Sequence, residues 1–197
     1  IITPRTEPQE GYVMTGGMWV KDNIGWWYQL FAGGYPANTW QNIGGVWYWF
    51  DANGYMATGW RQIGGTWYYL NGSGAMVTGW QLVGNTWYYM DGSGAMHTGW
   101  LLLGNTWYYL ESDGKMAVGL TEVGGSMYYL DGSGAMHSGW VLLGNIWYYF
   151  DGSGAMYHGW LWYGNAWYYL LEDGKMAVGS HEIDGVMYEF ATDGRMI

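Results

Sequence analysis

The side chains able to do chemistry in this chain are rings: 17 Trp and 20 Tyr among 197 residues. They are spaced, not scattered. Trp40, Trp60, Trp80, Trp100, Trp140 and Trp160 fall on one 20-residue register. Trp27, Trp47, Trp67, Trp87, Trp107, Trp147 and Trp167 fall on a second, seven residues further along. A tyrosine column runs from Tyr28 through Tyr48, Tyr68, Tyr88, Tyr108, Tyr128, Tyr148 and Tyr168 to Tyr188, and a methionine column from Met56 to Met196. Ring faces carry negative quadrupole charge, so the chemistry to expect is binding. A quaternary ammonium donates no hydrogen bond and sheds water readily; each ring face around it contributes roughly 0.5–1 kcal/mol when exposed and about 2 kcal/mol when desolvated. Neutral sugars stack on the same faces.

Other chemistries lack their residues. With no Cys, disulfides, thiol catalysis and Cys-type zinc sites are excluded together. His97 and His137 share a loop column, His158 and His181 do not, and no acidic ligand joins them in register. Neither a metal site nor His catalysis is therefore expected. Asp51, Asp91, Asp131 and Asp151 form one column after a strand, where Asp serves turns. One column does not supply the facing carboxylates of a glycosidase, and Ser73, Ser93, Ser133 and Ser153 belong to Gly-Ser-Gly turns. The expectation is no enzyme and no cofactor. A net charge of −10 disfavours nucleic acid, whose phosphates need Lys and Arg. Apolar runs such as 101–103 are too short for a membrane-spanning helix, and 36 Gly residues argue against a helical bundle.

The elements that position the rings follow from the period. In the unit 59–78, Gly64-Gly65 reads as a two-residue hairpin turn, as do Gly84-Asn85, Gly104-Asn105 and Asp184-Gly185 elsewhere. Residues 60–63 and 66–70 are then antiparallel strands, and 71–78 a glycine-containing loop carrying one Met. Alternation puts Trp60, Trp67 and Tyr69 on one face and Ile63, Tyr68 and Leu70 on the other. A lone hairpin is marginal in water, so each must bury its rings against the next. The predicted fold is all-β: a solenoid of about nine 20-residue β-hairpin repeats over residues 20–197. Residues 1–19, with Pro4 and Pro8 among polar neighbours, read as an N-terminal linker or non-repeat segment; the start shows no basic-then-apolar leader. Residues 71–130 also resemble 131–190, and both blocks break the Trp columns, at Leu120 and Met127 and at Ser180 and Met187. Two readings of this 60-residue super-period stand: roughly three hairpins per superhelical turn, or duplication of a block.

Two Trp of one hairpin with the Tyr of the next make a three-walled box. The expected trios are Trp40, Trp47, Tyr68; Trp60, Trp67, Tyr88; Trp80, Trp87, Tyr108; Trp100, Trp107, Tyr128; Trp140, Trp147, Tyr168; and Trp160, Trp167, Tyr188. The array skips the Leu120 unit, where Leu120 and Met127 present no ring face at the two Trp positions. The bland reading is that the rings are core, since each buries a large area; it suits the Tyr68 column better than the Trp columns, because so many half-exposed indoles are costly without a ligand. Tyr69, on its own Trp pair's face, is the alternative third wall. The Met column serves either as floor or as core filler.

The unit Gly-Trp-x3-Gly-x2-Trp-Tyr-Tyr-Leu-x3-Gly-x-Met-x-Thr-Gly-Trp resembles the choline-binding, or cell-wall-binding, repeat of Gram-positive surface proteins, autolysins and phage lysins. Thr78-Gly79-Trp80 through Trp87-Tyr88-Tyr89 carries the likeness closely, and it extends over about 25–197. The resemblance implies a left-handed superhelix of hairpins with choline between consecutive ones. It also implies a partner, phosphocholine of teichoic or lipoteichoic acid, and an extracellular location, attached non-covalently to the bacterial surface. Similar repeats bind glucans and oligosaccharides, which is the alternative function. Departures from the pattern are the missing Trp at Leu120, Met127, Ser180 and Met187, Glu189 in place of the second Tyr of the last unit, and Trp19 beside an otherwise incomplete first unit.

Overall fold

The computed structural model describes residues 8–9 and 16–197 and is all-β. The expectation for residues 1–19 lies mostly outside the described residues. Nine antiparallel two-stranded hairpins follow one another at 17–30, 39–50, 59–70, 79–90, 99–110, 119–130, 139–150, 159–170 and 179–190. A two-residue parallel bridge joins Pro8–Gln9 to Tyr35–Pro36. The chain divides into two compact units, 1–97 with four hairpins and 98–197 with five.

Each hairpin closes where the backbone can take positive φ. Gly64 and Gly65 lie at 59° and 84°, and Gly144 and Asn145 at 54° and 67°; consecutive positive φ values give the turn whose twist matches the strands. The registers Trp60↔Tyr69 and Gln62↔Trp67 then place both Trp on one face. In seven of the hairpins the opposite face ends in one wholly buried residue. In the first unit these are Phe50, Leu70 and Met90, and in the second Leu110, Leu130, Phe150 and Leu170. Tyr68 and Ile63, expected with them in the core, are only half-buried. A thin hairpin can enclose only the side chain nearest its base.

Backbone bonds tie a loop back to the hairpin that precedes its own. The Met76 amide donates to the Trp47 carbonyl at 2.8 Å, and the Met96 amide to that of Trp67 at 2.8 Å. The second unit repeats this from Met136 to Trp107 and from Met176 to Trp147, each at 2.8 Å. The Met76 side chain lies against Gly94, where a Cβ would meet its Sδ at 2.4 Å. This position requires glycine twice over, since its φ is +83°.

The loop aspartates are turn caps. Asp131 Oδ1 accepts from the Ser133 amide at 2.7 Å, its hydroxyl at 2.6 Å and the Ala135 amide at 3.1 Å. The Ser133 hydroxyl first, helped by His137 and the two amides, holds this carboxyl at about 2. The folded value lies below the unfolded reference of about 3.9, so this turn's contribution to stability is complete above about pH 4 and is lost as pH falls through about 2. Ser133→Ala is expected to raise the Asp131 midpoint, read by carboxyl-carbon NMR titration; an unchanged midpoint contradicts the assignment.

The first hairpin differs. Its turn spans four residues, with Asp22 Oδ1 accepting from the Ile24 and Gly25 amides at 2.9 and 3.0 Å, and Lys21 pairs with Trp26. The strand starts at Gly17, so residues 17–19, assigned from the repeat count to the N-terminal segment, form part of it. The longer turn moves Trp19 opposite Tyr28, onto the core face. There it packs 5.2 Å from Tyr28, 4.9 Å from Tyr48 and 5.8 Å from Phe50. Trp19 is therefore no surrogate for the missing first Trp, a place that Met18 takes opposite Gln29.

Candidate functional site

In the first unit Trp40, Trp47 and Tyr68 line one open cavity of about 350 Å³ together with Met76, Gly92 and Ser93. Tyr68 comes from the next hairpin and meets Trp40 edge-on, centroids 5.0 Å apart. Trp60, Trp67 and Tyr88 repeat the arrangement: the indoles stand 6.3 Å apart at 87°, and Tyr88 is 4.8 Å from Trp60. Perpendicular indoles give two walls of a corner, and the phenol of the following hairpin gives the third.

The second unit holds three more. Trp100, Trp107 and Tyr128 surround a cavity of about 220 Å³ with Met136 and Ser153. Trp140 stands 6.3 Å from Trp147 and 5.1 Å from Tyr168. Trp160, Trp167, Tyr188 and Met196 line a cavity of about 350 Å³. Of the remaining expected trio, Trp80 and Trp87 stand 6.4 Å apart at 88° in the first unit, and Tyr108 belongs to the second, opposite Leu101.

The second Trp of each pair keeps much of its surface free: Trp47 is 44 % exposed and Trp107 40 %. These indoles are not core. Trp27 occupies the same column but is 2 % exposed, its ring 6.1 Å from Tyr35. The Tyr69 column packs on its own first Trp, as Tyr69 does on Trp60 at 5.1 Å, whereas Tyr68, Tyr128 and Tyr188 line the cavities. Met76, Met136 and Met196 line the same cavities, so the Met column contributes a thioether wall. Reading one unit at a time misses Ser93 and Ser153, which come from a loop two hairpins beyond the Trp pair. Strand pairing inside one hairpin carries no signal for them.

Where the columns break, the frame persists. Leu120 and Met127 hold the Trp positions of hairpin 119–130, Leu120 opposite Tyr129. The Met156 amide still donates to the Met127 carbonyl at 2.7 Å. Tyr148 is buried there beside Val141 and Phe150. In hairpin 179–190 the Ser180 hydroxyl donates to Glu189 Oε1, across the register where other hairpins pair Trp with Tyr. Among the described residues no three His, Cys, Asp or Glu side chains gather to hold a metal ion, and no helix is long and apolar enough to cross a membrane.

The choline-binding repeat pattern matches residues 37–78, 77–119, 97–139 and 137–180. Among solved structures, CbpJ of Streptococcus pneumoniae TIGR4 is similar with a TM-score of 0.81 and 33 % identity, over 94 % of this chain and 71 % of its own. The choline-binding domain of CbpL from the same species gives 0.69 and 35 %, over 93 % and 98 %. Choline binding protein F, solved in the presence of a tetrasaccharide-pentapeptide analogue of peptidoglycan, gives 0.71 and 40 %, over 77 % of this chain and 55 % of its own. The chain thus spans about half of that protein. No curated sequence matches it. Perpendicular indole pairs, a tyrosine wall borrowed from the next hairpin and a 20-residue pattern recurring over 37–180 agree, and the chain belongs to the choline-binding repeat family.

Proposed function

We propose that this chain is a non-catalytic module that attaches non-covalently to a bacterial cell wall by taking choline, presented as phosphocholine on teichoic or lipoteichoic acid, into its aromatic boxes. The five trios that each lie within one unit are the proposed sites. The carrying observation is the open cavity walled by two perpendicular indoles, a phenol and a thioether, as at Trp100, Trp107, Tyr128 and Met136. A trimethylammonium group offers no hydrogen bond and needs none there. Three partly desolvated π walls contribute on the order of 4–5 kcal/mol net, a dissociation constant near the millimolar range. One such site is weak. Several on one chain, facing a polymer that repeats the ligand, gain avidity through effective concentration. The net charge of −10 favours approach of a cation.

Free choline is expected to quench or shift Trp fluorescence saturably, and the folded protein to be retained on a tertiary-amine resin and eluted by choline. Flow-through of folded protein overturns this reading. Retention on dextran that choline does not compete transfers the sites to saccharides.

The gap at hairpin 119–130 gives a gain-of-function test. Leu120 is 43 % exposed and the Tyr148 and Met156 framework is in place. Leu120→Trp with Met127→Trp is expected to add one choline equivalent to the calorimetric stoichiometry. An unchanged stoichiometry contradicts the role given to the paired indoles.

A further inference from the structure

Hairpin 159–170 departs from the others at its tip. The residue opposite the second box Trp is an amide, a leucine or, in hairpins whose Trp columns are broken, a glutamate, as at Gln62, Leu102 and Glu122. Here it is Trp162, opposite Trp167. The two rings meet at 5.2 Å and 60°. Trp162 is 54 % exposed and Trp167 41 %. The next residue, Tyr163, occupies a position held by Ile, Val or Leu in the other repeat hairpins 39–190. It is 48 % exposed, with its ring 6.2 Å from Trp140 and 6.0 Å from Tyr149 on the preceding hairpin. One strand tip thus adds a ring beside the box on each of its faces.

We propose that Trp162 and Trp167 form a saccharide subsite continuous with the Trp160–Trp167–Tyr188 box, taking a pyranose ring linked to a boxed phosphocholine. This rests on the reading of the boxes as choline sites. Trp162 lies outside the three-walled corner, so it adds nothing to the enclosure of an ammonium group. Its exposed indole instead offers a flat surface beside Trp167 at the edge of the box, within reach of a group attached to a boxed ammonium. The C–H face of a pyranose is weakly positive and apolar, and it matches the negative face of an indole while its hydroxyls stay in water. Leucine at the same place is apolar but presents no flat face. A half-exposed Trp is costly without an occupant, and a sugar ring on Trp162 supplies one.

The test follows indole N–H signals of the full chain by NMR, with Trp162 assigned by its loss in Trp162→Leu. Three probes are used: choline chloride, a methyl pyranoside carrying phosphocholine on its primary hydroxyl, and the unsubstituted methyl pyranoside. Choline is expected to move the Trp160 and Trp167 signals with the same midpoint in both proteins and to leave Trp162 in place. The phosphocholine pyranoside is expected to move Trp162 as well, with a midpoint about five- to tenfold lower than choline's, and Trp162→Leu returns that midpoint to choline's. A static Trp162 signal with the substituted sugar, or an equal midpoint in the variant, overturns the subsite. If choline moves neither Trp160 nor Trp167, the box reading fails. The plain pyranoside then decides the shelf by itself: movement of Trp162 sustains it and none overturns it.

Discussion

Phe50→Ala is expected to destabilise the first unit by about 3–5 kcal/mol, the usual cost of emptying a buried aromatic site. Phe50 is fully enclosed and gathers Tyr28, Leu30, Tyr48 and Trp19 around it. The hairpin core is one residue deep at this level, so nothing can slide in to fill the void. Each hairpin depends on its neighbours, and the loss spreads along the stack of the first unit. At about 2–4 °C per kcal/mol for a chain of this size, the midpoint of its thermal transition falls by roughly 6–20 °C. Differential scanning calorimetry reads the change, and a shift under about 2 °C contradicts the placement of the core.

Trp47→Ala is expected to do the reverse, removing binding at one box while sparing the fold. Its ring is 44 % exposed and lines the cavity with Trp40 and Tyr68. Removing one desolvated π wall costs about 2 kcal/mol of binding, roughly a 30-fold loss. A site near millimolar then drops out of a calorimetric titration, and the stoichiometry falls by one. Stability is expected to change by about 1 kcal/mol, since little of the side chain is packed. A loss of 3–5 kcal/mol with choline stoichiometry intact would return the indole to the core.

The contrast between Phe50 and Trp47 marks what the sequence makes legible. Two-residue turns and strand alternation are local rules, so Gly64-Gly65 and the 20-residue period suffice to put Trp60 and Trp67 on one face. The Tyr68 wall follows because an opposite-face residue can reach only a neighbouring hairpin. The role of Met76 does not follow. Met serves cores and ligand walls equally well, and the bond from its amide to Trp47 joins residues in different hairpins. Ser93 and Ser153 at the cavities have the same non-local origin. Trp19 is obscured for another reason. Trp27 and Tyr28 keep the 20-residue phase, which hides the two extra turn residues at 22–25 that carry Trp19 onto the core face.

A crystal structure of the choline-soaked protein tests the central claim most directly. The account predicts trimethylammonium density inside the corner formed by Trp100, Trp107 and Tyr128, with Met136 against it, and none beside Leu120 and Met127. Empty aromatic corners, or density of equal strength beside Leu120 and Met127, would contradict it.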